Sequence, residues 1–243
     1  TRSQTDGVDR KASYRNGFDW NSGLKPQRRS WMVSAYTSAH ASGASDVKLL
    51  RSQTAFNAAL VESNYTKNAV TFIGRNLKHR FPISVGVNVK KRLTDRWGIE
   101  TGLVYSYLES SGDLDAEYTY RYKQKIHYLG IPLNLSYSLY QNKRLDIYLQ
   151  GGGMAEMALS AHGYTRIFNH GVFASDIDDK LPASGVLWSV GLGAGISYDF
   201  VQNFGLYLEP GANYYFPNSN QPRSYRTDNP WSFNVRVGFR FKF

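Results

Sequence analysis

The chain has 243 residues, of which 15% are aromatic and none is cysteine. Without cysteine the sequence offers no disulfide scaffold, thiolate metal site, thiol nucleophile or cysteine-linked lipid anchor. Lys and Arg outnumber Asp and Glu by 29 to 19, a net charge of +10, which is compatible with nucleic acid, anionic lipid or simple solubility. No stretch approaches ~18 consecutive apolar residues, so the sequence predicts no transmembrane helix.

The first 29 residues are polar and hold seven Lys or Arg against three Asp, a net charge of +4. Their aromatic residues, Tyr14, Phe18 and Trp20, are isolated from one another. A tether towards another part of the cell envelope and a featureless linker both fit this composition. The chain opens without Met or an apolar leader, so we expect a processed or trimmed segment before Thr1.

Eight later segments alternate between apolar and polar or small residues with a period of two, which is typical of β-strands. The sixth segment is the clearest, because every even position from Val186 to Phe200 is apolar. The eighth is equally regular, with apolar residues at every odd position from Trp231 to Phe243. In chain order the segments cover residues 31–37, 81–89, 97–107, 118–139, 145–153, 186–200, 204–216 and 231–243.

The fourth segment changes phase. Its apolar residues stand at even positions up to Tyr128 and at odd positions from Ile131 onwards. We interpret this change, at Leu129 and Gly130, as a β-bulge within one long strand. Pro132 then lies on the less apolar face beside the bulge, where a missing N–H is tolerated.

The connections between the predicted strands alternate in length. Short links follow strands two, four and six, at residues 93–96, 140–144 and 201–203. Longer links follow strands one, three, five and seven, at about residues 41–80, 109–117, 156–185 and 217–229. Tight turns at one end and long loops at the other are typical of an up-and-down antiparallel barrel with both termini at the short-turn end.

A barrel with this alternation directs its apolar face either outward to lipid or inward to a ligand. Six of the eight predicted strands have 9 to 15 residues and another has 22, and ~9 to 11 are enough to cross a bilayer at the usual tilt. Aromatic residues lie near the strand ends, as in the girdles at the two lipid–water interfaces. We therefore predict an all-β, eight-stranded up-and-down antiparallel transmembrane β-barrel over residues 30–243, in the bacterial outer membrane. Both termini are then periplasmic, residues 1–29 form a periplasmic polar linker, and the long first loop, at about 41–80, is extracellular.

The face opposite the apolar one carries charged residues. An eight-stranded barrel is only wide enough for its own side chains to fill, so a diffusion pore is disfavoured. Buried charges are retained only when they are paired and hydrogen-bonded. We predict an interior ionic cluster in which Glu209 faces Arg236 or Arg240 on the neighbouring strand, and which Lys90 and Glu100 extend. A proton or ion path through the same charges is the alternative.

The long first loop is basic and partly apolar. It holds six Lys or Arg against two acids, a net charge of +4, which suits contact with lipid phosphates or simple solvation. Phe56, Leu60 and Val61 are unusual in a loop of ~40 residues, and we predict a surface there for another outer-membrane protein. Because most of the charge lies in this loop and in the N-terminal stretch, nucleic acid is not an expected partner, whereas outer-membrane lipid and lipopolysaccharide are.

The five histidines show no metal-ligand spacing and no accompanying catalytic motif. His40 and His79 fall near the predicted outer rim, where lipid-modifying barrels hold their catalytic groups. Asp176, Asp178 and Asp179 lack the pattern of a calcium loop and are predicted to form a solvated loop tip. We therefore expect no catalytic residue, no metal site and no cofactor.

Two stretches and the C-terminus resemble a known family. Phe239, Phe241 and Phe243 resemble the terminal aromatic β-signal that the outer-membrane barrel assembly machinery reads, which makes that machinery an expected partner. Residues 126–133 (IHYLGIPL) and 207–216 (YLEPGANYYF) are similar to strands of the small porin-like outer-membrane barrels of Bacteroidota. Within that group the chain most resembles the C-terminal barrel of dual-membrane-spanning anti-sigma factors, and the resemblance covers residues 31–243.

The resemblance implies a non-enzymatic barrel that acts as the surface anchor and sensor module of a trans-envelope signalling protein of the anti-sigma type. In that family a flexible periplasmic region joins an inner-membrane regulatory part to the barrel, and such a part would precede Thr1. One alternative is an accessory or structural barrel that binds another outer-membrane complex. A second alternative is a lipid-modifying barrel enzyme.

Overall fold

The computed structural model describes residues 30–41, 78–115, 118–218, 220–222 and 224–243. The strands in these ranges are β1 (Trp31–Ala41), β2 (Lys78–His79), β3 (Ile83–Arg92), β4 (Trp97–Asp115), β5 (Tyr118–Gln141), β6 (Leu145–Asn169), β7 (Val172–Lys180), β8 (Val186–Val201), β9 (Phe204–Tyr215) and β10 (Trp231–Lys242). One short helix, α1 (Tyr225–Asp228), lies between β9 and β10. Within the described ranges no helix has the length and apolar character needed to cross a membrane.

Eight of the strands pair edge to edge into a closed ring. Neighbours are antiparallel in the order β4-β3-β1-β10-β9-β8-β6-β5, and β5 pairs with β4 to close the ring. The first and last ring strands lie side by side, with Met32 opposite Lys242. Closure leaves no free edge in the ring, so its backbone groups pair without water. The prediction of eight antiparallel, up-and-down strands is confirmed.

The two ends of the ring differ. The links at residues 93–96, 142–144 and 202–203 all lie at one end, together with the start of β1 and the end of β10. We call this the short-turn end and the opposite one the long-loop end.

Three ring strands continue past the ring at the long-loop end and, with β7, form what we call the projecting sheet. β4 runs to Asp115 and β6 runs to Asn169. β7 pairs antiparallel with the upper part of β6, and the two-residue strand β2 pairs with β4. The predicted loops at 109–117 and 156–185 are therefore wrong for most of their length. Strand structure was missed there because the outward residues are polar, unlike those of the lower strands.

β5 keeps one phase through the predicted bulge and is irregular only near its end, where Leu139 is an extra residue against β6. Its even-numbered residues face the interior from Tyr120 to Ser138, and its pairing with β4 shows no register shift. The predicted bulge at Leu129 and Gly130 is therefore wrong. The apolar residues change faces because the lower half of β5 directs them outward, whereas the upper half directs them into an interior core. A register shift does occur on the neighbouring β6, where Leu159 is the extra residue.

A continuous band of apolar side chains is exposed around the outside of the ring. Leu133 and Leu192, for example, are 58% and 75% exposed. Aromatic residues border the band at both ends, and on β8 these are Trp188 and Tyr198, ten positions apart. Ten residues of a strand tilted by ~40° rise about 25 Å, the height of the apolar band of a membrane barrel. An exposed apolar surface of this kind needs lipid or a partner.

The interior of the ring differs between its two halves. The short-turn half is polar and charged, with Lys90, Glu100 and Arg240 buried. The long-loop half holds an apolar cluster made of Leu108, Ile126, Tyr128, Ala161, Leu187, Tyr215 and Tyr225. Because Tyr225 belongs to α1, the link between β9 and β10 folds into the barrel.

Candidate functional site

The candidate site is the barrel interior, which two groups of residues fill. The first, which we call the ionic layer, lies in the short-turn half and consists of Lys90, Glu100, Tyr148, Glu209, Arg236 and Arg240. The second, which we call the plug, is the described part of the link between β9 and β10, residues 216–218, 220–222 and 224–230, with α1 inside it. Together they decide whether anything can pass through the barrel.

Glu209 and Arg236 form the central ion pair of the ionic layer. They stand directly opposite each other on β9 and β10, and Arg236 Nη1 donates to Glu209 Oε1 at 2.7 Å. The Tyr148 hydroxyl donates to the other carboxylate oxygen at 3.0 Å. The Arg236 guanidinium also lies 4.7 Å from the centre of the Tyr36 ring. These contacts compensate both buried charges.

Arg240, the other partner considered for Glu209, contacts aromatic rings instead. Its Nη2 donates to the Tyr148 hydroxyl at 3.2 Å, and its guanidinium lies 5.1 Å from the centre of the Tyr148 ring and 4.6 Å from that of Tyr207. Lys90 Nζ lies 4.7 Å from the centre of the same Tyr148 ring. Cation–π attraction therefore stabilises these two buried cations.

Glu100 is held by amides. Asn88 Nδ2 donates to its Oε1 at 2.7 Å, and Gln150 Nε2 donates to the same oxygen at 3.3 Å. Lys90 stands opposite Glu100 in the pairing of β3 with β4, yet its Nζ is turned towards Tyr148. The charged residues that the sequence places on the inner face thus lie together, linked largely through tyrosine and amide side chains.

Two further ion pairs lie near the short-turn end and were not predicted. Arg92 Nη2 is 3.7 Å from Asp146 Oδ2, and Lys242 pairs with Asp199 across the intervening β9. The alternation already places Asp199 and Lys242 on the polar face of their strands. Their pairing depends on the order of the strands, which the alternation does not show.

A small cavity of about 50 Å³ lies beside the ionic layer. Asn134, Gln150, Asn213 and Arg236 are among the residues that line it. The volume is room for a few water molecules and for nothing larger. At Gly191, on the same wall, an added Cβ would come within 2.2 Å of Asn213 Oδ1, so the amide side chain itself occupies the space that the glycine leaves.

The plug is fastened by a buried ion pair. Arg226 Nη1 donates to Glu156 Oε1 at 2.5 Å, and the two side chains are 1% and 0% exposed. The guanidinium lies 5.0 Å from the Tyr215 ring and 5.7 Å from the Tyr128 ring. Burial lowers the pKa of Arg226, but the Glu156 carboxylate more than offsets this, so the pKa is raised and the residue stays charged.

Sequence reasoning missed this pair for two reasons. Glu156 follows the even, inward positions of β6 that begin at Asp146, so extending the strand would have found it. Arg226 lies in a connection without any periodicity, and nothing in the local sequence places it inside a barrel. The pair exists because the chain folds back between β9 and β10.

His79 makes a second attachment of the plug. Its Nδ1 hydrogen-bonds with Ser110 Oγ at 2.7 Å, and its Nε2 lies 3.2 Å from Asp228 Oδ2. These are the residue types of a hydrolytic triad, but Ser110 faces the interior and is 2% exposed, so a substrate has no access to its hydroxyl. His40, the other rim histidine, is also buried on the inner face. The contacts of His79 with Ser110 and Asp228 therefore connect α1 to β2 and β4.

The remaining predicted residues are distributed as follows. Phe239, Phe241 and Phe243 lie outward and exposed, with Phe239 stacked on Phe204 at 5.5 Å between ring centres. The apolar loop residues Phe56, Leu60 and Val61 lie outside the described residues, as do residues 1–29. In the part of the chain that is described, no group of three or more His, Asp or Glu could hold a metal ion.

The three acidic residues predicted to form a loop tip lie in a strand instead. Asp176, Asp178 and Asp179 belong to β7, which pairs with β6. They remain exposed, as expected of solvated acids.

The chain matches the model of one family, described as outer membrane protein beta-barrel domain, over residues 19–220. No curated protein matches it.

Several solved structures are similar to the chain. Ail of Yersinia pestis is 11% identical, with 89% of this chain and 99% of that chain covered and a TM-score of 0.34. Neisserial surface protein A is 14% identical, with 88% and 97% covered and a TM-score of 0.42. OprG of Pseudomonas aeruginosa is 15% identical, with 89% and 97% covered and a TM-score of 0.39. Since the family model matches well over half of the sequence, the chain belongs to the outer membrane protein beta-barrel domain family and lies in the bacterial outer membrane.

Proposed function

We propose that this chain is a closed, non-enzymatic outer-membrane anchor that serves as the surface and sensor module of a trans-envelope signalling protein of the anti-sigma type. The observation that carries the proposal is the filled interior. In the described part of the barrel, buried side chains of the ionic layer and of the plug occupy the interior, and a cavity beside the ionic layer has a volume of about 50 Å³. A barrel filled in this way does not pass solutes, so its role depends on what its two ends hold and contact.

The proposed orientation places the short-turn end, and with it both termini, in the periplasm. Short turns on that side and longer loops outside are the usual arrangement of outer-membrane barrels. The start of β1 and the end of β10 lie together, with Met32 opposite Lys242. A segment that enters β1 from residues 1–29 therefore approaches the barrel from the periplasmic side, as a tether to an inner-membrane part requires.

The signalling role is supported by the resemblance of residues 31–243 to the C-terminal barrel of dual-membrane-spanning anti-sigma factors. The stretches 126–133 and 207–216, which resemble strands of the small porin-like barrels, also contribute to the plug's surroundings, because Ile126, Tyr128 and Tyr215 belong to the apolar cluster that receives Tyr225. The plug is thus the element through which an external contact would act on the barrel.

Electrical recording tests whether the barrel is closed. We expect purified protein in planar lipid bilayers to give no conductance steps, because buried side chains of the ionic layer and of the described part of the plug occupy the interior. The variant with Tyr225→Ala and Arg226→Ala should also stay silent, since the ionic layer still fills the short-turn half. Stable wild-type steps that grow with salt concentration would contradict the closed barrel.

The complete gene product tests the signalling role. Exchange of residues 30–243 for an unrelated eight-stranded barrel should abolish the response of a sigma-dependent reporter to envelope perturbation while the protein still reaches the membrane. We also expect a cytoplasmic helical region and one membrane helix upstream of Thr1. A simple cleaved signal peptide there, or an unchanged reporter response, argues against this proposal.

An accessory barrel bound to another outer-membrane complex is the second candidate, and β7 favours it. Val172 and Phe173 are 71% and 58% exposed on this strand, at the edge of the projecting sheet. Exposed apolar residues beside an edge strand are typical of protein contacts. An unchanged reporter response in the exchange experiment is the outcome that this candidate predicts.

A further inference from the structure

The outer face of the projecting sheet carries its positive charge close to the membrane. Its outward residues form cross-strand rows. The lower row contains Arg80, Glu109, Lys125, His162 and Lys180. The upper row contains Lys78, Ser111, Lys123, Tyr164 and Asp178. We call these two the headgroup rows.

The headgroup rows hold five Lys or Arg against two acids. The next row, farther from the barrel, has Asp113, Arg121, Arg166 and Asp176 side by side and is neutral. The excess of positive charge is therefore confined to the rows nearest the ring. Contact with water alone does not explain why the positive charge is concentrated in the rows nearest the ring.

Among the described residues, three of the five cations in the headgroup rows, Lys123, Lys125 and Lys180, have no carboxylate within ion-pair distance. Lys125 and Lys180 flank His162 in one row, so no acidic residue separates the two lysines across β6. Of the two acids, Glu109 accepts from the Tyr107 hydroxyl at 2.9 Å and pairs with Arg80 at 3.2 Å.

Asp178, the other acid, lies 3.5 Å from His162 Nδ1. Within the described ranges, no carboxylate lies within ion-pair distance of Lys123, Lys125 or Lys180. An external anion is what would offset these charges.

The position of these lysines relative to the apolar band indicates where that anion is. On β5 the outward residues run from Leu129, which is 38% exposed and the last of the band, through His127 to Lys125. Each step of two residues rises about 7 Å along a strand, less when the strand is tilted. Lys125 therefore stands at the level of lipid headgroups, and its side chain is long enough to reach down to them.

We propose that the headgroup rows bind the phosphate groups of an anionic lipid in the outer leaflet. Lys123, Lys125 and Lys180 are the binding residues, and Lys125 is also held near the Tyr164 ring, at 6.0 Å from its centre. Neighbouring strands are about 4.8 Å apart, so Lys125 and Lys180 are separated by about 10 Å and both can contact one phosphorylated headgroup. The inference rests on the proposed orientation of the barrel, which places the projecting sheet outside the cell.

Native mass spectrometry of the barrel in phosphatidylcholine nanodiscs, titrated with bisphosphorylated lipid A, tests the proposal. The double variant Lys125→Gln with Lys180→Gln should bind the lipid about tenfold more weakly or worse, since each cation near a membrane surface contributes substantially. The matched control is Arg121→Gln with Arg166→Gln. It removes the same charge from the neutral row and should stay within about twofold of the wild type.

Several results would overturn the proposal. Equal losses in the two double variants would assign the effect to general electrostatics. Undiminished wild-type binding of the same lipid after removal of its phosphates, or displacement by inorganic phosphate at equal concentration, would exclude a lipid-phosphate site. The wild-type comparison of the two lipids stands even if a variant folds poorly, and unchanged heat-modifiability of the variants on gels shows that they fold.

A separate measurement distinguishes this inference from the proposed orientation. Because the chain has no cysteine, Lys180→Cys creates a single labelling site. We expect a membrane-impermeant maleimide to label it in intact cells. Failure to label would overturn both the orientation and the outer-leaflet site, whereas labelling combined with a negative lipid titration would overturn the site alone.

Discussion

Tyr148 is the residue on which most contacts of the ionic layer converge. Its hydroxyl donates to Glu209 and accepts from Arg240, and its ring lies beneath Lys90. Gly195, directly opposite on β8, makes room for the ring, because an added Cβ there would come within 2.3 Å of Tyr148. A glycine in a strand interior thus marks the place where a large neighbouring side chain crosses the barrel.

The Glu209–Arg236 pair yields a prediction at the residue scale. Arg236→Met leaves Glu209 buried without its cation, and we expect the free energy of unfolding to fall by about 3 kcal/mol. Adding Glu209→Leu should recover most of that loss, because an apolar pair does not need compensation. Urea unfolding of the barrel in phospholipid vesicles measures both changes.

The control for this prediction is Arg96→Met, which removes a cation from an exposed short turn. We expect its effect to stay within about 0.5 kcal/mol, as is usual for surface substitutions. Similar losses for Arg236→Met and Arg96→Met would show that the interior pair does not stabilise the fold.

At the scale of single elements, β5 shows how one strand serves two environments with an unbroken phase. Its lower half exposes Leu133 and Leu135 outward, and its upper half buries Tyr120 and Tyr122 inward. Apolar residues lie on the side of the strand that is shielded from water. That side is the outside within the membrane and the inside where the strand extends beyond it. A period-two pattern therefore shows which side chains are shielded from water. The shielded side changes along a strand that is longer than the bilayer is thick.

The plug is an element that depends on tertiary contacts. α1 has four residues, too few to be stable as an isolated helix. It is held by the pairing of Arg226 with Glu156, by Asp228 against His79, and by the apolar cluster around Tyr225. These contacts join the link between β9 and β10 to β2 and β6, so the plug connects parts of the barrel that are distant in sequence.

At the scale of the whole molecule, the barrel is asymmetric. β4, β5 and β6 rise beyond the membrane with β7, whereas β8, β9 and β10 end near the aromatic border at Trp188 and Trp231. The boundary between lipid and water therefore crosses the long strands partway along their length, and residues of one strand experience different solvents.

The position of this boundary can be tested with a pair of substitutions. Leu133→Arg places a cation in the middle of the apolar band and should lower the free energy of unfolding in vesicles by about 2–4 kcal/mol. Val172→Arg makes a comparable change at an exposed aliphatic residue of the projecting sheet and should alter it by less than about 0.5 kcal/mol. Equal effects would contradict the assignment of the projecting sheet to the aqueous side.

The sequence by itself determined the eight ring strands, their antiparallel order and the inward face on which Lys90, Glu100, Glu209, Arg236 and Arg240 stand. The faces follow from a local property, since a period of two assigns each side chain to one face of its strand. The antiparallel order follows from the alternation of short and long connections. The alternation likewise predicts each apolar residue on the outward face of β8 and β10.

Only the tertiary structure decided which of these residues meet. Whether Glu209 stands opposite Arg236 or Arg240 depends on the register of β9 against β10, because a shift of four residues would preserve the faces and exchange one arginine for the other. Arg226 reaches Glu156 only because the chain folds into the barrel, a contact between residues 70 positions apart. Periodicity shows on which face of a strand a residue lies. Which residues form ion pairs depends on the register of neighbouring strands and on where the links fold, and both are properties of the closed ring.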